Sequence, residues 1–114
     1  MHELTLAANL LELIEQHARA NGLVQVLRVH LALGELFPVD EAALTFGFEV
    51  ARRGTVAESA ELRIDRVPGR ARCAACAGEA FEVDTLGSPC PRCGRFGWKL
   101  LSGDDLRLSG LEGT

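Results

Sequence analysis

Apolar positions in residues 4–20 recur at helical spacing. Leu6, Leu10, Leu13, Ile14 and His17 fall on one stripe, which predicts an amphipathic helix with His17 at the stripe's edge. Asn21-Gly22 ends it, because glycine accepts the left-handed conformation that closes a helix. From residue 23 to 33 the period changes to two. Leu23, Leu27, Val29, Leu31 and Leu33 share one strand face, and Arg28 and His30 point the other way. Residues 34–38 read as a turn, and Asp40 is the N-cap of a second helix over about 41–53. Leu44, Phe48 and Ala51 lie on its inner side, with Phe46 and Phe48 both expected in the core. Gly54-Thr55 stops that helix. Residues 60–67 then form a strand with Leu62 and Ile64 inward.

At Pro68-Gly69 the composition changes. Up to about Gly97 the chain is rich in glycine, proline and cysteine and poor in aliphatic residues, too little to bury a core of its own. Apolar residues return at Trp98, Leu100, Leu101, Leu106, Leu108 and Leu111, interrupted by the turn Gly103-Asp104-Asp105. They predict one or two strands coming back to the first sheet. The fold class expected is α+β: a small sheet of about three strands packed with two helices, residues 1–69 and 98–114. A zinc-ribbon-like module, residues 70–97, is inserted into it.

Composition narrows the function. The chain has 114 residues, a net charge of −4, 5% aromatic content and no tyrosine. A nucleic-acid binder needs a basic face and aromatic platforms, so nucleic acid is not an expected partner. No segment approaches the roughly 20 apolar residues of a membrane span. Glu3, Glu12 and Glu15 break the N-terminal apolar run, which argues against a secretory signal and for the cytoplasm. No serine, cysteine or histidine set forms a catalytic triad, so no enzymatic activity is expected.

The four cysteines carry the clearest chemistry. Cys73-Ala74-Ala75-Cys76 and Cys90-Pro91-Arg92-Cys93 are two CxxC pairs, and the chain has no other cysteine. Each pair turns two sulfurs toward one point, and facing pairs place four thiolates at the corners of a tetrahedron. Zn²⁺ takes that set with Zn–S near ~2.3 Å and no open position. Disulfides would need an oxidising compartment, and a redox CxxC needs only one pair. An iron site with four thiolates differs little in geometry.

Met1-His2-Glu3 sets a histidine beside the α-amine. The amine, the His2 amide nitrogen and the His2 imidazole can close adjacent chelate rings on a metal. The Glu3 amide or carboxylate, or a donor from elsewhere, could fill the fourth place. Planar nitrogen donors suit Ni²⁺ or Cu²⁺. The positive end of a helix starting near Leu4 favours a deprotonated amide there. Taken alone, a frayed and solvated terminus accounts for the same residues.

The pieces occur in an order that resembles the HypA/HybF family of nickel metallochaperones for hydrogenase maturation. The matching features are Met1-His2-Glu3, Leu44-Thr45-Phe46-Gly47-Phe48-Glu49 followed by Gly54-Thr55, and Ala60-Glu61-Leu62-Arg63-Ile64. The two CxxC pairs with Cys90-Pro91-Arg92-Cys93-Gly94 and the late Gly103-Asp104-Asp105-Leu106 complete it. The resemblance implies a nickel-binding core with Ni(II) cargo centred on His2, supported by the Met1 amine and Glu3. It also implies structural Zn(II) on Cys73, Cys76, Cys90 and Cys93. The implied partners are a HypB-type GTPase and the precursor of a nickel–iron hydrogenase large subunit, and a weak homodimer stays open. Two features depart from the pattern. Ala77-Gly78 stands where glycine often follows the cysteine directly, and Asp104-Asp105 stands where a glutamate is expected before the leucine.

A second function class fits the same residues: a zinc-ribbon module for protein or nucleic acid, with an incidental N-terminal histidine. In either class His17 reads as packed or surface, and His30, on the strand's polar face, as solvated or near the hinge and not a ligand. Arg52-Arg53 complements the dipole at a helix C-terminus.

Overall fold

A computed structural model describes residues 3–76 and 78–114, which form two helices and two three-stranded sheets. In chain order the elements are α1 (Glu3–Ala20), β1 (Val26–Gly34), α2 (Glu41–Ala51), β2 (Glu61–Val67), β3 (Gly69–Arg72), β4 (Phe81–Val83), β5 (Lys99–Ser102) and β6 (Leu106–Gly113). The first sheet has the order β2-β1-β6 and the second β4-β3-β5. The fold is α+β, as expected. The chain falls into two compact units, one of residues 1–31, 38–64 and 108–114, the other of residues 32–37 and 65–107.

In the first unit α1 and α2 pack on each other. Asp40 is extended (φ −83°, ψ 114°) and its side chain accepts from the Ala42 amide at 3.0 Å, satisfying a donor that the helix start leaves free. The helices approach closely because the residues between them are small. A Cβ on Gly47 would lie 3.3 Å from Ala7 Cβ. That approach sets which face of each helix is inside. Along α1 the buried residues are Ala7, Leu10, Leu11, Ile14 and Ala18, so the expected stripe is rotated. Leu13 is 38% exposed and His17 is exposed. Along α2 they are Leu44, Gly47 and Phe48, and Phe46 is 63% exposed rather than in the core. Both corrections have one cause: small residues, not the bulkiest, occupy a tight helix–helix contact.

Strand β1 buries Val29, Leu31 and Leu33 as predicted. Its start is out of phase: Val26 is buried and Leu27 is 47% exposed, with the Val26 amide donating to Val56 O at 2.9 Å. Arg28 and His30 point away from the core, as expected, and both have partners. Arg28 Nε donates to Glu61 Oε1 and Nη1 to Glu112 Oε1, each at 2.9 Å, while His30 Nε2 lies 2.5 Å from Glu112 Oε2. The C-terminal end of α2 is tied down by Arg52. Its guanidinium lies 5.9 Å from the Phe48 ring centroid and Nη1 donates to Ala60 O at 2.5 Å.

In the second unit β3 is the central strand. It pairs antiparallel with β4 (Arg70↔Glu82) and with β5 (Ala71↔Leu100). Strand β5 therefore does not return to the first sheet; of the two late strands only β6 does. Ala71, Cys73, Phe81, Val83 and Cys90 form a small core, with Leu36, Trp98 and Leu100 packed against it. Three glycines let backbones touch here. A Cβ on Gly34 would fall 2.2 Å from Gly103 O, and one on Gly103 2.6 Å from Gly69 Cα. The Gly34 amide donates to Asp105 O at 2.8 Å and the Leu36 amide to Gly103 O at 2.8 Å. The Gly103-Asp104-Asp105 turn is therefore bonded to the end of β1.

The close backbone approach at Gly34 can be tested by substitution. Gly34→Ala should lower the denaturant midpoint by an amount equivalent to about 2–3 kcal/mol, because the atoms it meets are backbone. Gly110→Ala, whose Cβ meets nothing nearer than His30 Cδ2 at 3.8 Å, should change stability by less than about 0.5 kcal/mol. Equal effects would refute the backbone-contact reading. The Glu112 carboxyl sits below its ordinary pKa, first through the His30 hydrogen bond and then through Arg28. A carboxyl lowered on folding stabilises above its unfolded pKa, and that contribution is lost as pH falls through the folded value. His30→Ala should raise the Glu112 midpoint seen by NMR. Its cost in stability should be present at neutral pH and disappear in acid; an unmoved midpoint would sink this assignment.

Candidate metal centre

The four cysteines come together. Their sulfurs all lie within 4.8 Å of one another, and among the described residues they are the only group of three or more metal-binding side chains so placed. Cys73 leaves the end of β3, and Cys76 follows one turn later. Cys90 and Cys93 sit on a second turn, closed by the Gly94 amide donating to Cys90 O and the Cys90 amide donating to Arg95 O, each at 2.8 Å. The two turns are built alike. In each, the first cysteine is buried and the second exposed. The first sulfur of each turn accepts amide hydrogens from the residues two and three positions on: Ala75 and Cys76 for Cys73, Arg92 and Cys93 for Cys90.

Those amides act on the thiols. Hydrogen bonding, first from the Cys76 amide, lowers the Cys73 pKa below the usual thiol value. The same arrangement, first from the Cys93 amide, lowers Cys90 to about 6. At Cys93 the Arg95 amide pulls down, but local desolvation and the neighbouring sulfurs outweigh it and raise the thiol to about 11. Successive ionisation thus becomes harder in the cluster, which is the chemistry of a donor set that needs a cation.

The spacing agrees with a tetrahedral ion. A ZnS₄ tetrahedron with ~2.3 Å bonds has sulfur–sulfur edges of about 3.8 Å. Cys73 Sγ lies 3.7 Å from Cys93 Sγ, and Cys76 Sγ lies 3.8 Å from Cys90 Sγ. A disulfide would need about 2.05 Å, and all four cysteines are free. Donor type and spacing therefore fit Zn²⁺.

Met1 and His2 lie outside the described residues. Glu3 is the first residue of α1, and its Oε2 is 3.5 Å from the Asp40 amide at the start of α2. Among the described residues His17 and His30 join no group of metal ligands: the His17 carbonyl caps the helix end by accepting from Asn21 Nδ2 at 2.8 Å, and His30 Nε2 lies 2.5 Å from Glu112 Oε2. No helix among the described residues is long and apolar enough to cross a membrane.

Sequence reading missed the role of Arg92, the third residue of the second CxxC. Its Nη2 donates to Glu79 O and its guanidinium lies 5.6 Å from the Phe81 ring centroid. The available signal is Gly78, displaced by one position from the usual knuckle glycine. A Cβ there would fall 2.6 Å from Arg92 Nη2.

Comparison with known proteins places the chain. The family model described as hydrogenase/urease nickel incorporation, metallochaperone, hypA, matches residues 1–113. A hydrogenase maturation factor HypA of Geobacter sulfurreducens is 43% identical over 112 residues, covering 98% of each chain. A hydrogenase maturation factor HybF of Klebsiella pneumoniae is 41% identical over 113 residues, covering 99% of each. The solution structure of the nickel metallochaperone HypA from Helicobacter pylori superposes with a TM-score of 0.74 at 28% identity, covering 99% of this chain and 97% of that one. The chain belongs to the HypA family of nickel-incorporation metallochaperones, which are maturation factors for hydrogenase and not enzymes.

Proposed function

We propose that this chain carries Ni²⁺ at its N-terminus and hands it, with a HypB-type GTPase, to the large-subunit precursor of a nickel–iron hydrogenase in the cytoplasm. The observation that carries the reading is the family match from residue 1 to residue 113, which takes in Met1-His2-Glu3 as well as the cysteines. His2 is the central nickel donor, with the Met1 amine and Glu3 supporting it. Helix α1 begins at Glu3, so its positive end favours the negative nitrogens of a metal-bound amide. Cys73, Cys76, Cys90 and Cys93 hold one structural Zn²⁺, supported by the sulfur spacing. In this role zinc supplies folding free energy to residues 70–97, on the order of 10 kcal/mol.

The two metals differ in the kind of site. Four thiolates enclose zinc and leave no position for exchange. The terminal site is rich in nitrogen and at the chain's end, which suits a cargo that must leave.

Purified protein should contain one zinc per chain. Cys90→Ala should lose it and unfold residues 70–97, while circular dichroism retains most of the signal of α1 and α2. Loss of the whole helical signal on chelation would contradict this division.

Nickel binding should need both the free α-amine and the His2 imidazole. Such groups ordinarily titrate near ~7.8 and ~6.5, and both must be unprotonated to coordinate, so affinity should fall steeply below about pH 6.5. His2→Ala should abolish tight nickel binding and leave zinc and folding unchanged. One residue added before Met1 keeps every side chain but converts the amine to an amide. If that protein bound nickel as well as the native terminus, the amine chelate would be excluded.

A further inference from the structure

Zinc knuckles are held to one another mainly by the ion they share, yet here a side chain also crosses between the two cysteine turns. Arg92 lies within the second turn, between Cys90 and Cys93. Its Nη2 donates to Glu79 O, three residues beyond Cys76 of the first turn. Its guanidinium lies against the face of Phe81, with Cζ 5.6 Å from the ring centroid. Phe81 opens β4 and packs edge-on against Trp98, at 6.4 Å between centroids and 89° between planes. Trp98 Nε1 in turn donates to Ser88 O at 2.5 Å, just before the second turn. Arg92, Phe81, Trp98 and Ser88 therefore form a chain of contacts that leaves the second cysteine turn and returns to its start.

Room for this arrangement is made by Gly78. A Cβ at that position would fall 2.6 Å from Arg92 Nη2 and 2.7 Å from Cζ and Nε, so any other residue would push the guanidinium out. A lysine would be a poorer fit than the arginine at 92. Its ammonium lacks the flat fork that donates to a carbonyl while lying on a ring.

We propose that Arg92 is a positioning residue of the metal centre: a latch that fastens the second cysteine turn to the segment leaving the first, in a slot kept open by Gly78. It touches no metal. Its effect is to hold the four sulfurs at tetrahedral spacing, so that one thiolate detaching from zinc rebinds instead of swinging away. The proposal rests on the four-thiolate zinc reading and concerns the rate at which that zinc is lost. Groups that support bound ligands from outside typically contribute about 10–100-fold in metal affinity.

The test is a cycle of three variants of the full chain: Arg92→Met, Gly78→Ala, and both together. Zinc transfer to a chromogenic chelator is followed for each. Arg92→Met should speed zinc loss about tenfold. Gly78→Ala should do nearly the same while Arg92 is present, by displacing it, and should add little once Arg92 is gone. That non-additivity separates a latch from two independent losses of stability. Trp98, the chain's one tryptophan, gives a second readout through Phe81, and its emission should shift in all three variants to a similar extent. Zinc loss from Arg92→Met at the parent rate, or a Gly78→Ala effect equal with and without Arg92, would overturn the latch. Should the parent contain no zinc, the four-thiolate reading fails instead. The Trp98 emission of the metal-free variants then decides whether Arg92 closes the turns, an unshifted spectrum counting against it.

Discussion

Four sulfur atoms within 4.8 Å of one another cannot all ionise unless a cation sits among them. The second unit is organised by that constraint. The apolar cluster around the cysteines is small: Ala71, Phe81 and Val83 are its buried residues besides Cys73 and Cys90. Two of those five side chains thus belong to the group that could hold a metal ion. The amides of each turn aim at the first sulfur of that turn and draw the thiols toward ionisation, while the crowding of sulfurs pushes the last one back. Such a cluster repels itself as bare thiolates and is crowded as thiols, and a divalent ion resolves both. Strands of three and four residues persist around it because their ends are fastened by the cysteine turns, and because Gly34, Gly69 and Gly103 let backbones lie against each other.

The first unit depends on a different use of space. Ala7 against Gly47 lets the two helices come close together, and the buried faces of both include that contact. The helix starts are neighbours too, since the Glu3 carboxylate reaches toward the Asp40 amide. Glu3 thus links the start of α1 to the start of α2.

Element positions are largely legible in the sequence because they depend on local signals. The Asp40 cap, the Asn21-Gly22 stop, the alternation over Val29, Leu31 and Leu33 and the cysteine spacing all appear where the sequence places them. The readings that fail depend on partners distant in sequence. Leu6, Leu10, Leu13, Ile14 and His17 make a good helical stripe, but the stripe through Ala7, Leu11 and Ala18 is the one that permits close packing. Phe46 lies two residues from Phe48, on another side of the helix, and aromatic character alone could not choose between them. Strand β5 joins the second sheet and not the first, because its pattern says only that Leu100 turns inward, not which strand it pairs with. The four cysteines are readable from spacing, whereas Arg92 is not. Its partner is a backbone carbonyl, and its slot is the absence of a side chain at Gly78; neither leaves a pattern in composition or period.

Selectivity for nickel does not follow from the donors alone. Amine, amide and imidazole nitrogens bind Cu²⁺ more tightly than Ni²⁺ in the usual order of divalent ions. A terminus of this chemistry, left to equilibrium with both metals, would fill with copper. The thiolate cluster faces the opposite problem, since soft donors hold zinc in a closed shell that nickel cannot enter without opening it. The proposed nickel terminus and the thiolate centre are therefore kept apart by ligand kind and by exchange rate, not by affinity for nickel as such. On the proposed reading, the choice of cargo is then set by which metal is available to the terminus and not by its donors.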